Sequence, residues 1–352
     1  MKSIHTPVLG VALACLASLP GAASAQSKVE LFGVVDVGVA HLGGSGASKT
    51  GLSTGGANIS RLGFRGTEDL GGGLKAGFWL EAGLDVDSGA GKATGGGLSF
   101  NRRSTVSLSG DFGEVRLGRD KTPGYQNLET FHAFGDTGMG GINGHNLISS
   151  SAAGTPEGSN PKRVSNSVSY LLPKLGGVYG QITYGFGEQA GNNSLSSTVG
   201  LRVGYANGPL NVAGAYGTVK GGEVGNTVNY KHFNLGASYN FGVATPMVLI
   251  ASERGNDKRV DLYSIGVKAP LGPGELRAAY SMYKDKRVSD ADASRIAIGY
   301  GYRLSKRTEL YAAFAHMTND DNAKRKLGSS LSHDPGVGKN VTGYEVGVRH
   351  NF

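Results

Sequence analysis

The chain has 352 residues, of which 60 are glycine, 15 are tyrosine and only one is cysteine, and its mean hydropathy is -0.19. The formal net charge is +8, and the basic residues are spread along the sequence, whereas nucleic-acid binding favours one clustered basic face. No segment approaches the roughly 20 apolar residues of a membrane-spanning helix, and a lone cysteine excludes a disulfide framework.

The first 25 residues have the pattern of a secretory signal peptide. Lys2 precedes an apolar run over 8–19, and 23–25 is an A-x-A cleavage site. We expect removal of residues 1–25 and a mature domain over 26–352, with a net charge of 34 − 27 = +7 once Lys2 is lost. Cys15 offers lipid attachment as an alternative, but cleavage there would leave the better downstream site unused.

The mature region is built from segments of alternating residues that are joined by connections of two kinds. Seven short ones look like tight turns and lie at 70–73, 111–113, 173–177, 207–209, 242–246, 270–274 and 304–308. Eight longer, polar ones lie at 42–57, 87–97, 121–160, 188–195, 220–226, 255–259, 286–292 and 319–340. Fifteen connections join 16 strands.

The alternation within the segments predicts on which side each residue lies. In the last segment, Tyr344 and Val346 share one face, while Glu345 and Arg349 share the other. A soluble β-sandwich also alternates, but it would rarely carry Arg, Glu and Gly so regularly opposite its apolar set. An even strand number with turns on one side and long loops on the other is typical of outer-membrane barrels. We therefore predict an all-β fold, a 16-stranded antiparallel transmembrane β-barrel.

Five segments together resemble one family over the whole mature chain. They are VELFGVVDVGV (29–39), SRLGFRGTEDLGGGLKAGFWLEAGLDVDSG (60–89), FNRRSTVSLSGDFGEVRLGRD (100–120), RVSNSVSYLLPKLGG (163–177) and the terminal GVRHNF. They resemble the trimeric general porins of Gram-negative outer membranes. The resemblance implies a homotrimer, an inward-folded third external loop, and passive diffusion of small hydrophilic solutes and ions. Outer-membrane lipid and lipopolysaccharide would then surround the barrel.

The resemblance also places a pore constriction at the third loop, 121–160. The usual Pro-Glu-Phe-Gly-Gly pattern is replaced there by the sequence HAFGD at 132–136, and we select Glu129 and Asp136 as its acidic candidates. Resemblance and strand parity together select the wall candidates, which are Arg61, Arg102 and Arg163, with Arg119 and Arg103 as further basic residues and Glu81 and Asp36 as acids.

Strand parity gives separate support to some of these choices. Leu62 and Phe64 face outward in their segment, which leaves Arg61 inward. The adjacent Arg102 and Arg103 should face opposite sides unless a bulge intervenes, and we favour Arg102 in the lumen. Each arginine could instead be a solvated wall residue remote from the narrowest point.

Several arginines opposite few acids predict a modest preference for anions, because guanidinium groups stay charged at physiological pH. We expect no cofactor and no metal, since the histidines lack metal-ligand spacing and the GGG runs lack the Lys-Ser/Thr of a phosphate loop. The acidic run at 319–322 could bind calcium, but a polar external loop is the commoner explanation. The alternatives are an outer-membrane barrel enzyme of the protease or phospholipase type, an adhesin, and a substrate-specific channel. The strand number argues against the enzyme.

Overall fold

The computed structural model describes residues 28–44, 47–142, 147–148, 160–187, 195–223, 226–331 and 333–352. The predicted signal peptide lies outside the described residues. Within these ranges, no helix has the length and hydrophobicity that crossing a bilayer requires.

Within the described ranges, the chain forms β-strands, one short α-helix and one turn of 3-10 helix at Thr94–Gly96. The first half contains β1 (Lys28–Gly44), β2 (Lys49–Thr54), β3 (Arg61–Gly71), β4 (Leu74–Asp85), β5 (Ala90–Gly91), β6 (Arg103–Gly110), β7 (Gly113–Lys121), α1 (Pro123–Thr130), β8 (Arg163–Leu171) and β9 (Val178–Gly185). The second half contains β10 (Thr198–Asn207), β11 (Leu210–Glu223), β12 (Asn226–Tyr239), β13 (Thr245–Gly255), β14 (Lys258–Leu271), β15 (Gly274–Asp285), β16 (Ala293–Arg303), β17 (Thr308–Asn319) and β18 (Val341–Asn351).

These strands close into an antiparallel barrel with 16 strand positions. Both β2 and β3 pair with β1, one with each half of it, and together they occupy one position. β5 is a two-residue strand that pairs with the end of β4, inside the second long connection. The barrel closes where β1 pairs with β18, with Val37 opposite Val348. The predicted 16-stranded barrel is confirmed. The predicted turns and loops join the observed strands, except that β2 forms inside the predicted loop 42–57 and β11 extends into the predicted loop 220–226.

The alternation of exposure along the strands is that of a membrane barrel. On β16, Ile296 is 55% exposed while its neighbour Arg295 is 1% exposed. On β18, Val346 is 63% exposed and Glu345 only 1%. The apolar side chains thus face outward and the charged ones inward, as lipid outside and water inside require. This pattern rules out the β-sandwich, which buries its apolar face.

The short turns depend on glycine. In the turn between β3 and β4, Gly71, Gly72 and Gly73 have φ of 85°, 59° and 82°. These values lie in the left-handed region, which only glycine adopts without steric cost. The GGG sequence is therefore a turn, as predicted.

The third long connection folds into the barrel and forms its packed core. Leu128, Phe131, Phe134 and Met139 are buried against inward-facing wall residues, and α1 contacts β9 to β12. The described part of this third loop therefore lines the inside of one half of the barrel. The predicted inward fold is observed.

Glycines on the wall make room for the third loop. A Cβ atom added at Gly236 would lie 2.3 Å from the Phe131 ring, and one at Gly343 would lie 2.7 Å from the Met139 sulfur. Further along the loop path, Gly266 faces Ala133. We call Gly200, Gly236, Gly266, Gly299 and Gly343 the wall glycines, because a Cβ at each would meet the third loop.

Candidate pore constriction

Two arginines bind one carboxylate on the inner wall, and a third arginine lies next to them. Arg102 Nε lies 2.5 Å from Glu81 Oε1, and Arg61 Nη1 lies 3.6 Å from the same oxygen. Arg163 Nε donates to the carbonyl oxygen of Arg102 at 2.6 Å. The second Glu81 oxygen accepts a hydrogen bond from Trp79 Nε1 at 3.2 Å. We call Arg61, Arg102 and Arg163 the arginine cluster.

The strand order explains why these side chains meet. Arg61 is the first residue of β3, Arg163 is the first residue of β8, and Arg102 directly precedes β6. These strands start at the same end of the barrel, since neighbouring strands are antiparallel and β3, β4, β6, β7 and β8 follow one another around the wall. Residues far apart in sequence therefore reach one level of the lumen.

The prediction that Arg102 and Arg103 face opposite sides is wrong. Arg103 lies on the lumenal face of β6, with its guanidinium 4.5 Å from the Trp79 ring centre and 3.7 Å from Asp120. Arg102 precedes the strand, so the alternation of β6 does not fix its side chain, which turns back to Glu81. Both side chains therefore lie on the lumenal side of the wall.

A second group of charges lies next to the arginine cluster. Arg116 binds Asp120 at 2.5 Å and Glu114 at 2.9 Å, and Arg116 and Asp120 line the same cleft as the cluster. Sequence reasoning missed Arg116 and Asp120 as pore residues. Parity would have found Arg116, because its neighbours Val115 and Leu117 are apolar and exposed.

The third loop supplies the facing side of the site. Thr122 caps α1 by accepting a hydrogen bond from the Tyr125 N–H at 3.3 Å, and Pro123 takes the first helical position. Glu129, at the end of this helix, binds Lys121 Nζ at 2.6 Å. Gln126 donates to Gln181 on β9 at 2.7 Å. The loop thus brings Glu129 close to the open wall.

Asp136 lies deeper in the third loop and is largely buried. Its carboxylate binds Lys162 Nζ at 2.6 Å and accepts from the Tyr125 hydroxyl at 3.2 Å. Burial and the neighbouring Asp136 raise the pKa of Tyr125, so this hydroxyl stays protonated and can donate. Asp136 therefore holds the helix of the loop, through Tyr125, to Lys162 at the end of the loop.

Asp36 and Arg119 have bonds outside the arginine cluster. Asp36 is fully buried and accepts from the N–H groups of residues 56, 57 and 58 and from the Tyr311 hydroxyl. Asn58 in turn accepts from Arg61 Nη2 at 2.9 Å, so Asp36 positions Arg61 through this segment. Arg119 lies in a β-bulge and donates to the Asn101 carbonyl and to Ser165, each at 2.6 Å.

On the loop-covered side, wall carboxylates are bound to loop backbone. Glu345 accepts from the Met139 N–H at 3.2 Å, and Glu253 accepts from the Leu147 N–H at 2.8 Å. Arg325 is also covered and donates to the Leu147 carbonyl at 2.7 Å, while Arg202 on β10 holds α1 through Asn127. The covered charges act as anchors, and the arginine cluster remains the charged surface at the opening.

The fold and this charged opening define an outer-membrane β-barrel channel. A family model described as Gram-negative porin matches residues 12–322. The chain belongs to that family, and it is a channel for solutes in the Gram-negative outer membrane rather than an enzyme. The predictions of family, location and passive transport are confirmed.

Individual relatives agree with this assignment. The chain is 42% identical to outer membrane porin protein 32 of Delftia acidovorans, over 97% of this chain and 99% of the relative. It is 31% identical to major outer membrane protein P.IB of Neisseria meningitidis serogroup B, over 96% and 97%.

Solved structures show the same fold. The structure described as an anion-selective porin from Comamonas acidovorans superposes with a TM-score of 0.84 and 40% identity, covering 93% of this chain and all of that one. OmpT of Vibrio cholerae shares the fold at 17% identity, with a TM-score of 0.65, covering 95% of this chain and 99% of that one.

Proposed function

We propose that this channel passes small hydrophilic solutes with a modest preference for anions, and that the arginine cluster sets this preference. The observation that carries the proposal is the binding of Arg61 and Arg102 to the same carboxylate, that of Glu81, with Arg163 bound to the carbonyl oxygen of Arg102 beside them. Three permanent positive charges beside one carboxylate leave an excess of positive charge on this part of the lumenal wall. Because guanidinium groups stay protonated, this excess persists at all physiological pH values.

The facing acids give the opening a transverse field as well as a net charge. Glu129 lies on the third loop near the arginine cluster, whereas Asp136 is buried near the base of the loop, and each is bound to a lysine. Charges fixed on two sides of a narrow pore orient water and dipolar solutes between them. Screening over about 8 Å at physiological ionic strength makes the charges nearest the permeating ion dominate. We therefore expect the cluster to outweigh distant loop charges.

The similarity to the anion-selective porin from Comamonas acidovorans supports the same preference, since 40% identity extends over nearly the whole barrel. The proposal for this chain nevertheless rests on its own residues. It predicts that selectivity depends on the cluster rather than on the total charge of +8.

The test is the zero-current potential of the reconstituted channel across a salt gradient. We expect the wild type to favour chloride over potassium. The triple variant R61Q/R102Q/R163Q should lose this preference, and K306Q, which removes a charge from the exposed turn before β17, should keep it. A cation-selective wild type, or a triple variant as anion-selective as the wild type, would refute the proposal.

We further propose that the protein is exported by cleavage of residues 1–25, assembles as a homotrimer, and contacts lipopolysaccharide. The A-x-A sequence at 23–25 supports cleavage, and the exposed apolar belt supports burial against lipid and neighbouring chains. The mass of the protein purified from outer membranes should match a chain beginning at Gln26. Conductance should appear in groups of three equal steps, and single steps only would contradict the trimer.

A further inference from the structure

Three basic side chains form a row on the outer face of the barrel, where β12, β13 and β14 approach their long connections. Lys231 is paired in register with Arg254, and Arg254 with Arg259. All three are exposed, whereas the residues adjacent to them on the lumenal face, His232, Glu253 and Val260, are buried. We call Lys231, Arg254 and Arg259 the outer basic row.

The outer basic row lowers the stability of the sheet when no anion is bound. Like charges directly opposite one another on adjacent strands destabilise the pairing. Asp261 offsets part of the repulsion, because Arg259 donates two hydrogen bonds of 3.0 Å to it. Among the side chains that the structure describes, no carboxylate forms an ion pair with Lys231 or Arg254. Two positive charges of the row thus remain available to an external anion.

The surface next to the row, towards the middle of the barrel, is apolar. Tyr216 and Phe233 form a cross-strand pair there and are 44% and 45% exposed. Ile250 on β13 and Tyr263 on β14 continue this surface and are also exposed. A shallow groove of about 190 Å³ runs between the row and the two aromatic rings of Tyr216 and Phe233. The face therefore combines a cationic rim with an apolar floor.

We propose that the outer basic row binds the phosphorylated sugar headgroup of an outer-leaflet glycolipid, that is, of lipopolysaccharide. This inference deepens the proposed lipopolysaccharide contact by assigning it a site. A phosphate between Lys231 and Arg254 satisfies both cations, and the guanidinium can bind it through two parallel hydrogen bonds. Acyl chains attached to the same headgroup lie along the apolar surface below.

The spacing of the row fits such a ligand. Adjacent strands lie about 4.8 Å apart, so the row spans roughly 10 Å along the barrel circumference. A headgroup with more than one phosphate can contact it at two points. At the boundary between water and lipid, the dielectric constant is lower than in bulk water, which strengthens each charge pair. A free phosphate ion is shorter than the row and can bind at one of these two points at a time. It also has no acyl chains to contact the apolar surface.

The experiment compares glycolipid binding by the intact, assembled protein and two matched variants. K231Q/R254Q removes two charges from the row, and K306Q/R307Q removes two charges from the exposed turn at the opposite end of the barrel. Each protein is reconstituted in phosphatidylethanolamine vesicles with increasing fractions of diphosphorylated lipid A, and bound glycolipid is measured by native mass spectrometry. Parallel titrations use dephosphorylated lipid A and inorganic phosphate.

We expect K231Q/R254Q to bind diphosphorylated lipid A at least about tenfold more weakly than the wild type, because two charge-assisted contacts are lost. K306Q/R307Q should bind like the wild type, and K231R/R254K should retain most of the affinity. Dephosphorylated lipid A should not distinguish the proteins, and inorganic phosphate should bind none of them measurably.

Equal lipid A binding by K231Q/R254Q and K306Q/R307Q would overturn the proposal. So would a loss of subunit association in K231Q/R254Q with unchanged lipid binding, because the row would then contact a second copy of the chain. Ion selectivity should be unchanged in K231Q/R254Q, since the row lies outside the lumen. Failure of the lipid site is thus distinguishable from failure of the pore proposal.

Discussion

The two halves of the barrel wall carry charged residues on the same lumenal face but use them differently. On β3 to β8, Arg61 and Arg102 bind Glu81, Arg163 binds the carbonyl oxygen of Arg102, and these side chains line a cleft on the lumenal side. On β9 to β18, the third loop covers the wall, and carboxylates such as Glu345 bind loop N–H groups. We therefore expect the charge of a lumenal residue to affect transport only where the loop leaves that residue open. On this proposal, selectivity depends on where the charges lie more than on their total.

The largest effect should come from filling the space under the loop. Gly236→Ala places a Cβ 2.3 Å from the Phe131 ring, and overpacking of this kind costs about 1–3 kcal/mol. We expect a lower thermal unfolding temperature and a larger, noisier conductance, because the loop is pushed off the wall. Gly214→Ala is the control, since the nearest atom to a Cβ there lies at 3.7 Å. Equal behaviour of the two variants would show that the loop does not need this contact.

A smaller effect should come from the open half. Glu81→Gln removes the one carboxylate that Arg61 and Arg102 share, so the anion preference should increase. Two unit charges about 4 Å apart in water interact by about 1 kcal/mol. Loss of the Glu81 charge should therefore change the anion-to-cation permeability ratio by up to roughly fivefold. The measurement is again the zero-current potential. Glu275→Gln, which breaks the Glu275–Arg277 pair near a short turn, should change it less, and the reverse ranking would disprove the role of Glu81.

The smallest effect should be a pH dependence of loop docking. Burial, and then the nearby Arg295 guanidinium, lower the pKa of His132 in the third loop, while Asp136 raises it and Lys268 lowers it. The docked loop holds a neutral imidazole, whereas the unfolded chain has an ordinary pKa of about 6.5. Stability is thus complete above about pH 6.5 and falls as the pH drops towards the lowered pKa, because the unfolded chain binds more protons.

Thermal unfolding at several pH values between about 7.5 and 5 checks this dependence. The wild type should lose stability on acidification more steeply than His132→Gln, in which the titrating group is absent. Identical slopes for the two proteins would mean that His132 does not contribute.

The strand architecture could be predicted from sequence because it depends on local patterns. Period-two alternation and glycine turns, such as that at Gly71 to Gly73, are visible in single segments. The lumenal position of Arg61 followed from the same alternation and agrees with its contact to Glu81.

What the sequence did not reveal depends on contacts between distant segments. The alternation rule was wrong for Arg102, because this residue lies outside the regular strand. The hydrogen bonds that Asp36 accepts from residues 56–58 could not be predicted, because they depend on how that segment folds against β1. The wall glycines could not be recognised from the sequence for the same reason. Each is needed because a particular loop residue packs against it in the folded barrel.

The anchoring of the third loop also bears on the order of folding. The bond from Met139 N to Glu345 joins residues that are 206 positions apart, on the third loop and on the last strand. Such a contact cannot form until β18 is in place, and contacts of large sequence separation form late because the intervening chain must first be ordered. The channel therefore reaches its final width only after the barrel has closed. Before the last strand is inserted, the third loop lacks this bond to the wall.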